Sequence, residues 1–134
     1  MVCIYCGSKT QVTNSRHQKR QNQVWRRREC LQCHAIFTTG EVAQYDSAWR
    51  VHGRDNKLQP FSRDKLFLSL QRVCAHRTNS IDDAAGLTDT VIKKLTAQAR
   101  DGVISRSAIV QVAQVALNRF DQLASLQYSA LHKA

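Results

Sequence analysis

Cys3-Ile4-Tyr5-Cys6 and Cys30-Leu31-Gln32-Cys33 decide how the first third of the chain folds. Each is a Cys-x-x-Cys pair, a spacing that lets the chain reverse in a tight knuckle and aim two thiolates at one point. Two such pairs, separated by residues 7–29, supply four sulfur ligands, and four thiolates suit tetrahedral Zn²⁺. With all four positions filled by protein, no place remains for a catalytic water, so the expected site is structural. Redox-active pairs or unrelated core cysteines are the alternatives. Residues 1–42 are polar and poor in large aliphatic side chains. Such a segment cannot bury enough apolar surface to fold without help, and a metal supplies it. His34 and His17 are expected on the surface, and the fifth cysteine, Cys74, in a helical core.

Between the knuckles, Val12 and then Val24-Trp25 suggest two short strands, the second running through Arg26-Arg27-Arg28-Glu29 into Cys30. In a strand, Arg26 and Arg28 face one way and Arg27 the other. Guanidinium groups on a rigid ribbon suit phosphate and guanine. Arg16, Arg26, Arg27 and Arg28 are therefore the candidate DNA contacts. Charge agrees. The chain carries 20 Lys and Arg against 10 Asp and Glu, a net charge of +10 and a pI of about 9.9, which favours a polyanionic partner. RNA is a weaker expectation, because Trp25 is the one evident stacking aromatic in the ribbon.

Beyond residue 42 the pattern changes. Residues 43–62 read as extended, with Trp49 and Val51 alternating with polar neighbours and a turn at Gly53-Arg54-Asp55-Asn56, which predicts a β-hairpin. Ser62 then caps a helix whose stripe is Leu66, Leu70, Val73 and Cys74, continuing to Arg77. Ser80-Ile81-Asp82-Asp83 opens a second helix, with Ile81, Ala84, Ala85, Thr88, Val91, Ile92, Leu95 and Ala99 at helical spacing. Gly102 ends it. Ser105 or Ser107 opens a third, with Ile109, Val112, Ala113, Ala116, Leu117 and Phe120 inward. Asp121 caps a fourth carrying Leu123, Leu126, Ala130 and Leu131. The fold class is α+β: a small four-cysteine zinc ribbon over residues 1–42, then a mainly helical domain with an N-terminal β-hairpin over residues 49–134.

No apolar run approaches membrane-spanning length and no long apolar leader is evident, so a cytoplasmic protein with no membrane partner is expected. No Ser/His/Asp or Cys/His constellation, P-loop or open metal position suggests an enzyme.

These residues resemble a known family. Cys3-Ile4-Tyr5-Cys6, Asn14-Ser15-Arg16, Arg26-Arg27-Arg28-Glu29-Cys30 and Phe37-Thr38-Thr39-Gly40-Glu41 follow, in order and spacing, the N-terminal text of the NrdR repressors. Pro60-Phe61-Ser62-Arg63-Asp64-Lys65-Leu66 is similar to the start of the first helix of their ATP-cone. The resemblance spans nearly the whole chain. It implies a bacterial, nucleoid-associated repressor that binds repeated operator boxes in double-stranded DNA near ribonucleotide reductase genes. It further implies a homo-oligomer that responds to ATP or dATP. Val51, Arg54, Gln59, Phe61 and Lys65 are then the candidate nucleotide contacts, with Arg54 and Lys65 on the phosphates and Val51 and Phe61 as an apolar floor. Departures are specific. Ile4 stands for the family's proline and Asn14 for its aspartate. Gly53 replaces a basic residue, Asn56 a glycine and Gln59 a glutamate. The loss at Gly53 predicts weaker nucleotide binding unless Arg50, His52 or Lys57 substitutes. The alternative function is a zinc-stabilised nucleic-acid or protein-interaction module with a degenerate cone.

Overall fold

The computed structural model describes residues 1–133, which divide into two compact units, the first Met1–Ala43 and the second starting at Gln44. The first unit is an antiparallel sheet of three strands in the order β1 (Thr10–Gln18), β2 (Gln23–Cys30), β3 (Ile36–Val42). The third strand, which carries Phe37-Thr38-Thr39, does not follow from the alternation alone. A register shift between Val12 and Asn14 bulges β1, and from there Asn14, Ser15 and Arg16 pair with Arg27, Arg26 and Trp25. The core of this unit is Cys3, Cys30 and Phe37 with Ala35 against them.

In the second unit a short helix α1 (Tyr45–Ala48) interrupts the stretch expected to be extended, and Tyr45 packs on Trp49 with ring centroids 4.4 Å apart. The expected hairpin follows as β4 (Arg50–His52) and β5 (Leu58–Pro60). Asn56, where the family has glycine, takes φ +58°, a left-handed conformation that Asn tolerates better than most residues. β6 (Val103–Ile104) adds to β4 in parallel, giving the order β5-β4-β6.

Four helices complete the unit: α2 (Arg63–Cys74), α3 (Ser80–Leu95), α4 (Arg106–Phe120) and α5 (Gln122–Leu131). Ser62, Ser105 and Asp121 cap α2, α4 and α5 by accepting from the amides of Lys65, Ala108 and Ala124. The α2 stripe Leu66, Leu70, Val73 and Cys74 is buried as its spacing requires. The α3 helix ends at Leu95, short of Ala99 and Gly102. Its Ile81 is exposed, and Leu87 is buried in the core instead. The α5 stripe is rotated. Leu123, Leu126 and Leu131 are exposed, and Ala124, Ser125 and Tyr128 face inward. Small residues there let α5 lie close to α2 and α4, while the aromatic ring fills the remaining gap. Phe120, also expected inward, is partly exposed beneath the Arg77 guanidinium, 4.4 Å from the ring centre.

Arg77 ties the helix ends together. Its Nε donates to Asp83 at 2.7 Å and an Nη to Asp121 at 2.8 Å, and His76 Nε2 lies 3.1 Å from Asp121. The Ala124 amide, Arg77 and His76 together hold the Asp121 carboxyl well below the usual carboxylate range. Among the described residues, no helix is long and apolar enough to cross a membrane.

Candidate functional site

The two knuckles are built alike. In the first, the Cys3 amide donates to Ser8 O at 2.8 Å and the Gly7 amide to Cys3 O at 3.0 Å; in the second, the Cys30 amide donates to Ala35 O at 3.0 Å. Backbone amides also point at sulfur: Tyr5 N at Cys3 Sγ, and Gln32 N and Cys33 N at Cys30 Sγ, each at 3.4 Å. The residue after each second cysteine turns through a left-handed conformation, Gly7 at φ +75° and His34 at φ +58°. His34 is exposed, with Nδ1 3.6 Å from Glu29 Oε1, so it is no ligand.

All four Sγ atoms lie within 4.8 Å of one another, with Cys3–Cys33 at 3.7 Å and Cys6–Cys30 at 3.4 Å. A tetrahedron with Zn–S bonds of about 2.3 Å has edges of about 3.8 Å, so the donor set fits Zn²⁺ in size as well as chemistry. The Ser8 hydroxyl and amide, then Cys30, bring Cys6 down to about 6. Cys33 moves the other way, to about 12: the Ala35 amide lowers it, but Cys30, burial and the remaining sulfurs outweigh that pull. Cys6 and Cys33 thus hold their protons unequally, and a dication at the centre of the four sulfurs removes the conflict.

The arginines divide as the alternation of β2 demands. Arg26 and Arg28 are half-buried on one face, where Arg26 pairs with Glu41 at 3.1 Å and donates to Ser15 Oγ at 3.0 Å. Arg28 donates to Thr39 Oγ1 at 3.2 Å and Thr10 Oγ1 at 3.4 Å. Arg27 and Arg16 lie exposed on the opposite face. The structure therefore does not gather the four onto one surface.

The second unit holds a cavity of about 420 Å³, within the usual range for small-molecule sites. Val51, Arg54, Gln59, Phe61 and Lys65 all line it. Of the three residues suggested to offset Gly53, only His52 reaches the cavity; Arg50 donates to the carbonyls of Asp46 and Trp49, and Lys57 lies 3.9 Å from Asp55. Gly53 itself is confined: a Cβ there would stand 3.0 Å from Asp55 Oδ1 and 3.2 Å from Gln59 Nε2. The substitutions at 53 and 59 are thus neighbours in space, the amide of Gln59 lying against the position where a side chain at 53 would begin.

Sequence reasoning missed Ser69, Arg106, Tyr128 and His132. Arg106 enters from the first turn of α4, where the helix dipole favours anions. His132 stacks on Tyr128 with ring centroids 4.1 Å apart, and its Nε2 lies 3.2 Å from Ser69 Oγ. Burial, then Arg106 and Arg54, push the His132 pKa down, so a neutral ring is favoured. The cap at Ser105 placed Arg106 in the first turn of α4; Tyr128 and His132 had no comparable local signal, since they reach the cavity through the packing of α5.

A four-cysteine ribbon and a hairpin-and-helix unit with a cation-lined cavity define a zinc-ribbon, ATP-cone protein. The family model described as the N-terminal domain of NrdR-like transcriptional repressors matches residues 1–41, and the ATP cone domain matches residues 50–133. Proteins named transcriptional repressor NrdR are similar over 99% of this chain: 34% identical in Syntrophotalea carbinolica, over 84% of that protein, and 30% identical in Desulforapulum autotrophicum and Petrotoga mobilis, over 80% and 88% of theirs. The chain belongs to the NrdR transcriptional repressor family, a family of regulators rather than enzymes.

Proposed function

We propose that this protein is a zinc-dependent, DNA-binding transcriptional repressor of ribonucleotide reductase genes, acting in the bacterial cytoplasm at the nucleoid and governed by ATP or dATP. The observation that carries the reading is the cavity of the second unit. Arg54, Lys65 and Arg106 converge on it beside an apolar wall of Val51, Phe61 and Ile109, the combination that a nucleoside triphosphate requires. In the ribbon, residues 1–41 carry seven Lys and Arg against Glu29 and Glu41, and Arg16, Arg26, Arg27 and Arg28 are its candidate DNA contacts. When bound, zinc fixes the knuckles and so the strands that present these arginines.

Regulation runs through self-association. One ribbon makes few base contacts, and linking several in a homo-oligomer multiplies apparent affinity. Nucleotide that favours one oligomer over another then sets whether paired ribbons match the operator spacing. Leu123, Leu126 and Leu131, exposed on α5, supply apolar area for contact with a second copy.

The test is binding of zinc-loaded protein to duplexes from upstream of ribonucleotide reductase genes, titrated with ATP and dATP, with oligomer mass followed in parallel. The expected result is salt-sensitive binding that changes between the two nucleotides together with oligomer mass. Nucleotide-independent DNA binding, with no calorimetric heat at millimolar ATP or dATP, would favour the degenerate-cone alternative.

A further inference from the structure

On the ribbon face opposite Arg26 and Arg28, the strand register sets out two rows. Arg16, Trp25 and Gly40 form one, and Asn14, Arg27 and Thr38 the next. Arg16 and Arg27 are exposed, and their side chains take no hydrogen bond or ion pair among the described residues. Trp25 is 44% exposed, in a unit whose Phe37 is buried. Gly40 offers no side chain across from it, and nothing lies within 4 Å of the position a Cβ would take there. An indole is thus held open between two uncommitted guanidinium groups. On the other face, Arg26 and Arg28 hold β1 and β3 to β2 through Ser15, Thr10, Thr39 and Glu41.

We propose that the face of Arg16, Trp25 and Arg27 is the surface that meets double-stranded DNA, with Arg26 and Arg28 as positioning residues that brace the sheet behind it. This rests on the DNA-binding reading above and narrows its four arginines to two, adding Trp25. Charge complementarity names the occupant: neither row holds a carboxylate, and the one on this face, Glu29, stands at the zinc end beside His34. Arg16 and Arg27 lie diagonally on adjacent strands that run about 4.8 Å apart, close enough for both guanidinium groups to reach one major groove of about 12 Å. There they contact phosphates or guanine while the indole lies against sugar and base edges. A single-stranded partner fits less well, because stacking platforms present successive aromatics and these rows present one.

The experiment uses the full zinc-loaded chain and a labelled operator duplex, with affinity read by anisotropy over a range of salt. Arg16→Ala and Arg27→Ala are each expected to lower affinity roughly tenfold, and each that touches phosphate to reduce the salt slope by about one. Trp25→Phe should lower affinity while leaving the slope unchanged. Tryptophan emission of the parent should be quenched on binding, and that quenching should vanish in Trp25→Phe, since Trp49 is buried in the other unit. Two results overturn the proposal: the slope change appearing in Arg26→Ala and Arg28→Ala with an intact sheet but not in Arg16→Ala and Arg27→Ala, or Trp25 quenching stronger with single strands than with duplex. Failure of the parent to bind any duplex would instead sink the DNA-binding reading, and this proposal with it.

Discussion

Withdrawing zinc should melt one unit and spare the other. The ribbon's buried apolar side chains outside the ligand set reduce to Phe37. Burying one phenylalanine contributes about 1.5–3 kcal/mol, whereas a structural zinc contributes on the order of 10–16 kcal/mol in small zinc modules near neutral pH. The metal therefore outweighs the hydrophobic core several-fold, and no packing remains to hold β1, β2 and β3 once it is gone. The second unit has eighteen buried residues in one cluster and needs no metal. A strong chelator, or Cys30→Ser, should bring fast amide hydrogen exchange to residues 10–42 and leave α2, α3 and α4 protected. Peptide-resolved exchange reads both units at once. Loss of strand signal with retained helix signal in far-UV circular dichroism should accompany it. Slow exchange persisting in residues 10–42 of metal-free protein with four reduced thiols would refute the reasoning, because it would mean that the sheet is stable on hydrogen bonds and Phe37 alone.

Lys65→Ala, Arg106→Ala and Arg54→Ala should each weaken ATP or dATP binding by about 1.5–3 kcal/mol if they make charge-assisted phosphate contacts, roughly 10- to 150-fold in calorimetric Kd; all three side chains are exposed, which places the effects toward the weaker end of that range. Leu70 is fully buried, so Leu70→Ala should cost about 2–5 kcal/mol and lower the Tm of the helical unit by about 10 °C or more, measured by calorimetry, with zinc content unchanged. The Asp121 carboxyl has a depressed folded-state pKa, so its contribution to stability is present above the unfolded value near pH 3.9 and is lost as pH falls through the lower folded value. Tm measured from pH 7 down to pH 2 should therefore decline less steeply in Asp121→Asn than in the parent.

Local chemistry is legible in the sequence and long-range packing is not. The cysteine spacing announces the ribbon because four ligands constrain geometry by themselves, and Ser62, Ser105 and Asp121 announce helix starts because capping is decided within three residues. The face of α5 is misjudged because Leu123, Leu126 and Leu131 are more hydrophobic than Ala124 and Ser125, yet only small side chains fit the close approach of that helix. The short helix α1 escapes notice because only Tyr45 of its four residues packs against the core, which leaves no periodic stripe. In the cavity, β4, β5 and the start of α2 are near in sequence, and their residues can be read from it. Arg106, Tyr128 and His132 come from helices whose placement follows from tertiary packing.

Asp121 is both the residue that closes α4 and the cap that opens α5, so a single residue joins two helices. Such a joint makes α5 a lever. Ten residues of helix reach about 15 Å, so a tilt of about 5° at Asp121 swings the far end by about 1.3 Å. That end carries His132, and Tyr128 lies along the way, both on the cavity wall. The fulcrum is fastened to the ends of α2 and α3 through Arg77, His76 and Asp83. The cavity wall at Tyr128 and His132 and the exposed Leu123, Leu126 and Leu131 thus belong to one helix that starts at Asp121.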